Sequence, residues 1–311
     1  MNSLTFKVIT ERAEAQRYWE IFSPKKTIDD DFTFRDTWTQ LYDFPFHFIV
    51  GFDGADPIGL LPLQLNTLKG LGPKLLNMDT PFLEFFAGID TDDNKIFMLP
   101  DYEESIPQFL KQIKEPAVLT SLKEKYAVDE KEAEHYLDRF ELDLTKFANF
   151  EDFMQKNFDG HSRQRLINRI NKIDRTYTVE IKDGAEEDLK KLFQFSIDRF
   201  GENSSFNMSD RQQIYHELLQ KFEVDLFKII LNGETKALSF CFVFNGSYVS
   251  LNIGYDYDVR DISKLLVVTQ IKRALEKGCT RYDAGQGDNG WKEHFSLTKV
   301  PQYQLKLNIT E

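Results

Sequence analysis

Along the first half of the chain, stretches where apolar and polar residues alternate give way to stretches where apolar residues recur every three or four positions. Residues 4–9 alternate like a strand, and 11–22 have helical spacing. A second helix is read at 34–42, carrying Trp38. Residues 46–52 and 58–65 read as strands joined by Asp53-Gly54-Ala55-Asp56-Pro57, which has hairpin turn chemistry. The stretch 68–76, with its glycines and Pro73, reads as a loop. It leads to an aromatic run at 80–86, read as a buried strand or as one wall of a ligand cleft, with Phe85 as the wall residue. Residues 103–113 fit a helix and 117–122 a strand. The charged run 123–134 fits a solvated loop or helix face, and 136–144 a further strand.

The second half repeats this kind of order. Residues 147–157 and 161–175 read as helices separated by the turn Asn157-Phe158-Asp159-Gly160. A strand follows at 176–182, then helices at 186–200 and 209–222, the latter with Ser209 as its N-cap. Residues 201–205 between them read as a mobile loop. Three strands in meander order are expected at 226–231, 236–244 and 247–254. Asn232-Gly233 and Asn245-Gly246 are two-residue hairpin signals between them. A long helix at 262–277 stops at Gly278 as a C-cap glycine. A strand at 280–284, a glycine-rich loop and a last strand at 300–308 complete the chain. Both halves therefore predict β-α-α-β-β-β-α-β, an α/β class with mixed sheets. The expected division is 1–146, a helical connection 147–175, and 176–311.

Charge sharpens this division. The 311-residue chain has a net charge of −12, yet residues 1–150 carry 27 acidic and 16 basic side chains while the remainder carry 24 and 23. The acidic total stands against general affinity for DNA or an anionic membrane. One basic surface stands out. In 161–175 the apolar Leu166, Ile167, Ile170 and Ile173 share a face, and Arg163, Arg165, Arg169, Lys172 and Arg175 occupy much of the rest. Read as more than a solvated face, Arg163, Arg165 and Arg169 would contact phosphate or another anion on a ligand. The two cysteines, Cys241 and Cys279, form no C-x-x-C pair, and no apolar run approaches a membrane span. With no basic-then-apolar start, a reducing cytoplasmic setting is expected.

The densest chemistry lies in Arg281-Tyr-Asp-Ala-Gly-Gln-Gly-Asp-Asn-Gly-Trp-Lys-Glu-His-Phe295, where a strand runs into a loop. There is no Ser/His/Asp arrangement and no metal-spaced His/Cys cluster. This stretch, with SRQRLINRINKIDR and LFQFSIDRFGENSSF upstream, resembles the Fem-like branch of tandem GNAT acyltransferases. The residues that carry the resemblance best are Asp283 on the strand, Gly287-Asp288 in the loop, Trp291-Lys292, and Phe295. It implies two GNAT folds in tandem, with the active cleft in the second. It also implies transfer of an acyl group to an amine, with no tightly bound cofactor.

Carried over residue by residue, the resemblance puts Lys292 at the active site near a phosphate. It puts Gly287, Asp288, Trp291 and Phe295 against substrate. Asp283 is then placed to accept the amine proton and Tyr255, at the end of the central strand, to donate to the leaving group. Acyl-CoA is the expected co-substrate, with Arg260 and Lys264 assigned to it. The acceptor would be a small molecule, sugar, peptide or cell-envelope precursor. The turn 256–263, where such enzymes use a glycine-rich cradle for pyrophosphate, has no glycine and three aspartates. That departure leaves two alternatives open: an aminoacyl-tRNA donor, against which the overall charge stands, and a non-catalytic protein that keeps the fold.

Overall fold

The computed structural model describes residues 4–67, 81–88, 90–287 and 290–309. In chain order it forms β1 (Thr5–Ile9), α1 (Arg12–Phe22), α2 (Phe32–Thr39), β2 (Phe46–Asp53), β3 (Asp56–Asn66), β4 (Phe82–Phe85), β5 (Phe97–Met98), α3 (Ile106–Leu110) and β6 (Ala117–Leu122). Next come β7 (Ala127–Val128), β8 (Lys131–Glu132), β9 (Glu134–Asp143), α4 (Phe150–Lys156), α5 (Gly160–Thr176), β10 (Val179–Asp183), α6 (Leu189–Phe200) and α7 (Ser209–Lys221). The chain ends with β11 (Val224–Leu231), β12 (Glu234–Phe244), β13 (Ser247–Tyr255), α8 (Ile262–Glu276), β14 (Arg281–Gln286) and β15 (Thr298–Leu307). The loop expected at 68–76 lies outside the described residues.

Two units emerge: Met1–Arg139 with Val300–Glu311, and Phe140–Lys299. This division differs from the expected one. The helices α4 and α5 belong to the second unit rather than to a connection. The last strand belongs to the first, because β15 pairs antiparallel with β6 through Tyr303↔Leu122 and Leu307↔Ala117.

The strands of the two units share one pairing pattern. In the first unit β1, β2, β3 and β4 are successively antiparallel, and β4 then pairs parallel with β6. In the second unit β10, β11, β12 and β13 are successively antiparallel, and β13 then pairs parallel with β14. The Asn-Gly pairs set the meander as read. Asn232 and Gly233 have φ of 51° and 85°, and Asn245 and Gly246 have 45° and 77°. Two positive φ angles in succession are what a tight hairpin with native twist needs.

Aromatic packing dominates the first unit. Trp19 is fully buried, with its ring edge-on to Phe97, Phe86 and Phe32 at 4.9, 5.9 and 6.1 Å, and its indole N–H donates to Asp30 O at 2.7 Å. In the second unit, α6 lies so close on β13 that a Cβ on Gly254 would meet Phe195 Cβ at 2.9 Å.

Four local expectations are corrected. Residues 103–113 are not one helix: a 3-10 turn, Pro100–Ser105, precedes the short α3, because Pro107 has no N–H to donate to Glu103 O and its ring crowds that carbonyl. The charged 123–134 folds back as the β7–β8 hairpin around Asp129, whose φ is 55°. Met208, not Ser209, is the N-cap of α7. Residues 201–205 hold the 3-10 turn Gly201–Asn203 and the start of a second, Ser205–Asn207; between the two turns Ser204 is buried with its hydroxyl 3.0 Å from that of Ser196.

Candidate active site

β13 and β14 run side by side for only three positions, Ser247↔Arg281, Tyr248↔Tyr282 and Val249↔Asp283. On its other edge β13 stays paired with β12 as far as Ala237↔Tyr255. A β-bulge interrupts that ladder where Phe240↔Asn252 gives way to Cys241↔Ser250, which bends the strand as the two partners separate. From Ser250 onward, β13 therefore turns toward β14 a strand edge that β14 does not pair.

The first unit treats the same place differently. There β4 and β6 pair at Leu83↔Ala117, and Asn94 then bridges Leu122. Arg35, 2% exposed, locks this arrangement: it donates to Phe86 O at 2.6 Å, Asn94 Oδ1 at 2.7 Å and Asp93 O at 2.8 Å. Chain bridges the parting there, whereas among the described residues of the second unit the β13–β14 pairing ends at Val249↔Asp283.

The residues after the parting are tightly held. Asp283 is fully buried. Its Oδ1 accepts from Gly285 N at 2.9 Å and its Oδ2 from Arg281, which also lies 3.5 Å from Glu141 Oε1. Gly285, Gly287 and Gly290 adopt φ of 68°, 82° and 71°, so the loop coils through backbone that other residues resist. Lys292 consequently turns inward. It is 2% exposed, and its Nζ donates to Gly285 O at 2.8 Å and Gln286 O at 2.7 Å beneath the ring of Phe140, 5.0 Å away. Trp291 lies edge-on to the buried Phe295 at 6.0 Å. Asp288 lies outside the described residues.

Tyr255 ends β13 with its ring 4.5 Å from that of Tyr257. Burial, then the hydrogen bond that Tyr257 donates to Tyr255, raises the Tyr257 phenol above its ordinary value. Phe85 does not belong to this site. It is 1% exposed in the core of the first unit, among Leu63, Leu83 and Ile49.

A cavity of about 270 Å³ lies between the turn before α5, α5 itself, the first turn of α8 and the segment after the glycine loop. Phe158, Leu166 and Phe295 give it an apolar floor. Arg165, Arg169, Lys264 and His294 line it with basic groups, against the acids Asp159 and Glu293. Asp159 is already engaged as the N-cap of α5, accepting from Ser162 N at 2.7 Å. Arg163 is half-buried and does not line the cavity, and Arg260 is exposed beside it in sequence only.

Two of the three aspartates of the 256–263 turn, Asp256 and Asp261, are answered by cations. Asp256 pairs with Lys236 at 3.1 Å and accepts from Asp258 N at 3.0 Å. Asp261, at φ 66°, takes Lys264 at 2.8 Å and Arg169 at 3.2 Å, with Arg260 at 3.6 Å. Burial pushes the Asp261 carboxyl up, but Lys264 and Arg169 outweigh it and hold it below the usual range.

The comparisons bear on this arrangement. Residues 160–293 match the family model described as Acetyltransferase (GNAT) domain. The matched residues lie within the second unit. Its parting strands are those between which the GNAT expectation placed the cleft. Among solved structures, FemX aligns over 97% of this chain and 96% of its own, with a TM-score of 0.62 at 11% identity. L-PGS from Bacillus licheniformis aligns over 97% and 93%, at 0.55 and 14%. A tandem GNAT protein from the clavulanic acid biosynthesis pathway aligns over 99% and 100%, at 0.54 and 8%. These likenesses bear out the tandem GNAT fold expected from sequence. No curated protein matches the sequence significantly. No helix among the described residues is long and apolar enough to cross a membrane, and no group of three His, Cys, Asp or Glu side chains converges there to hold a metal.

The cavity also contains residues that sequence reading did not assign, chiefly Asn157, Ser162 and Glu293. Asn157 Nδ2 donates to Phe295 O at 2.7 Å and so fastens the turn before α5 to the segment after the glycine loop. No pattern in the chain links residues 138 positions apart. Gln270, described below, did leave a signal: it is an amide inside the apolar run Leu265-Leu-Val-Val-Thr-Gln-Ile271.

Proposed function

We propose that the protein is an N-acyltransferase whose donor is a phosphate-bearing acyl carrier, acyl-CoA in the first instance. The observation that carries this reading is the parting of β13 and β14 inside a GNAT domain. Unpaired strand edge supplies fixed N–H donors, and such donors polarise an acyl carbonyl and stabilise the oxyanion that forms on it. Phosphates of the carrier would meet Arg165, Arg169 and Lys264 in the cavity, where the apolar floor suits the uncharged part of the same molecule.

In this reaction the acceptor nitrogen forms a bond to the acyl carbon and releases a proton to solvent, the carbon–sulfur bond breaks, and the departing thiolate takes a proton from a donor that solvent then reprotonates. A bound acyl carrier supplies the activated carbonyl. Tyr255, at the open end of β13, is the group assigned to give the leaving sulfur its proton. Asp283 acts through Gly285 and Arg281, holding the mouth of the loop, rather than as the base. Lys292 acts in the same way, through Gly285 O and Gln286 O. A second donor is favoured by a separate feature: Lys172 and Arg175 lie one turn apart on α5, exposed and outside the cavity, and such a pair suits the polyanionic backbone of an aminoacyl-tRNA.

Calorimetry with acetyl-CoA, longer acyl-CoAs and charged tRNA tests both readings, followed by thiol release with a panel of amines. A donor at 100 times its Kd adds about 2.7 kcal/mol to stability. Absence of any such gain with every donor would overturn the enzyme reading in favour of a non-catalytic protein.

A further inference from the structure

At the base of the parting lies one side chain that the acyl-transfer reading does not use. Gln270 is fully buried on α8. Its Nε2 donates to Ser239 Oγ at 2.7 Å and Ser250 Oγ at 2.9 Å, with Cys241 Sγ at 3.3 Å as a weaker third contact. Its Oε1 accepts from Tyr282 OH at 2.7 Å. One amide thereby ties the helix to β12, β13 and β14 together.

The positions of these ties are specific. Tyr282 pairs with Tyr248 inside the short stretch where β13 and β14 run together. Ser250 is the first residue of β13 beyond the last shared pair, and Cys241↔Ser250 is the step at which the bulge begins. The two rings of the paired stretch, Tyr248 and Tyr282, stack at 6.2 Å. Burial holds the Tyr282 phenol well above its ordinary value, so it stays a neutral donor. In an apolar interior these groups have no water to fall back on, so they act as one unit.

We infer that Gln270 is a positioning residue that fixes where β13 and β14 separate, and so determines how much strand edge the cleft offers. Its use in catalysis rests on the acyl-transfer reading; the geometry does not. A side chain that merely filled space would not need to reach a hydroxyl on each side of the last shared pair.

The test compares amide hydrogen exchange in four chains: the wild type, Ser250→Ala, Tyr282→Phe, and a variant joining Gln270→Met to Ser239→Ala, Ser250→Ala and Tyr282→Phe. The last replaces every polar partner with an apolar group, which removes the penalty of orphaned donors and keeps the core filled. Exchange at residues 251–255 is expected to rise about fivefold in the single variants, the loss of one modest hydrogen bond, and further in the combined one. Exchange at residues 226–229 of β11 serves as the reference and stays put. Wild-type exchange at 251–255 in the combined variant, or an equal rise in β11, would overturn the inference. Coenzyme A affinity is measured in parallel and should fall in the combined variant. If the wild type binds no coenzyme A, the donor reading fails while the exchange comparison still decides the role of Gln270.

Discussion

Arg169 Nη1 lies 3.2 Å from Asp261 Oδ1, and this contact joins the basic helix to the head of α8. It explains how a turn with three aspartates can sit beside a site proposed for phosphates. The carboxylate of Asp261 is shared by Arg169 and Lys264, both of which line the cavity. An incoming phosphate therefore competes with Asp261 for cations already in place.

Removing that competitor should strengthen anion binding. Asp261→Asn keeps a residue that tolerates left-handed backbone and deletes the charge. Both pairs are partly exposed, so each is worth at most about 1 kcal/mol. Affinity for inorganic pyrophosphate by calorimetry is expected to rise about threefold to tenfold at low salt, and the gain should shrink as salt screens it. An unchanged or weaker affinity would separate the cavity from phosphate binding.

Lys292 sits inward, so substitution there has a structural cost as well as any effect on transfer. Lys292→Ala leaves two carbonyl acceptors without this donor and opens a void under Phe140. A loss of about 2–4 kcal/mol in urea unfolding is expected. A fully stable variant with no transfer activity would instead put the ammonium on the substrate.

Glu84 supplies a pH dependence. Burial pushes its carboxyl up to about 7 from 4.5, against the opposing hydrogen bonds from Gln64 and Asn66. Below pH 4.5 the group is protonated in both folded and unfolded chains. Between 4.5 and 7 the unfolded chain releases the proton while the folded one keeps it, so stability falls as pH rises. Above 7 the cost is complete, at about 3 kcal/mol. Glu84→Gln should therefore gain stability over the wild type at pH 8 and not at pH 4, as read by thermal unfolding at the two values. An equal change at both would place the effect in packing rather than titration.

Gly254→Ala tests the contact between α6 and the end of β13. The added Cβ would fall 2.9 Å from Phe195 Cβ and 3.1 Å from Leu192 Cδ1. Overpacking of this kind costs about 1–3 kcal/mol, and calorimetric unfolding reads it directly. A neutral outcome would mean that α6 can lift away from the strand.

Much of the second unit was legible because its signals are local. Asn232-Gly233 and Asn245-Gly246 specify turns within two residues, and Gly278, with φ of 70°, ends α8 as read. The parting of β13 and β14 fell at the expected strands. The rest of the site depends on partners far along the chain. Lys292 reads as an active-site cation near a phosphate until Phe140 and three left-handed glycines are seen to turn it inward. The turn 256–263 reads as hostile to phosphate until Lys236 and Arg169 arrive from other elements. Phe85 reads as a cleft wall only while the core around it is unseen. Residues 103–113 were misread for a nearer reason, since helical spacing hid the hydrogen bond that Pro107 cannot give to the preceding turn.

The return of β15 to β6 has a consequence for how the chain assembles as it is synthesised. Every residue that belongs to the second unit precedes Val300, whereas the first unit lacks a strand until residues 300–307 have been made. Tyr303 must find Leu122 across most of the polypeptide, a pairing of very high sequence separation that slows folding. A segment translated after the second unit is therefore needed by one translated before it. A released chain truncated after residue 299 is expected to keep the later-encoded unit and to leave the earlier one with an exposed edge on β6.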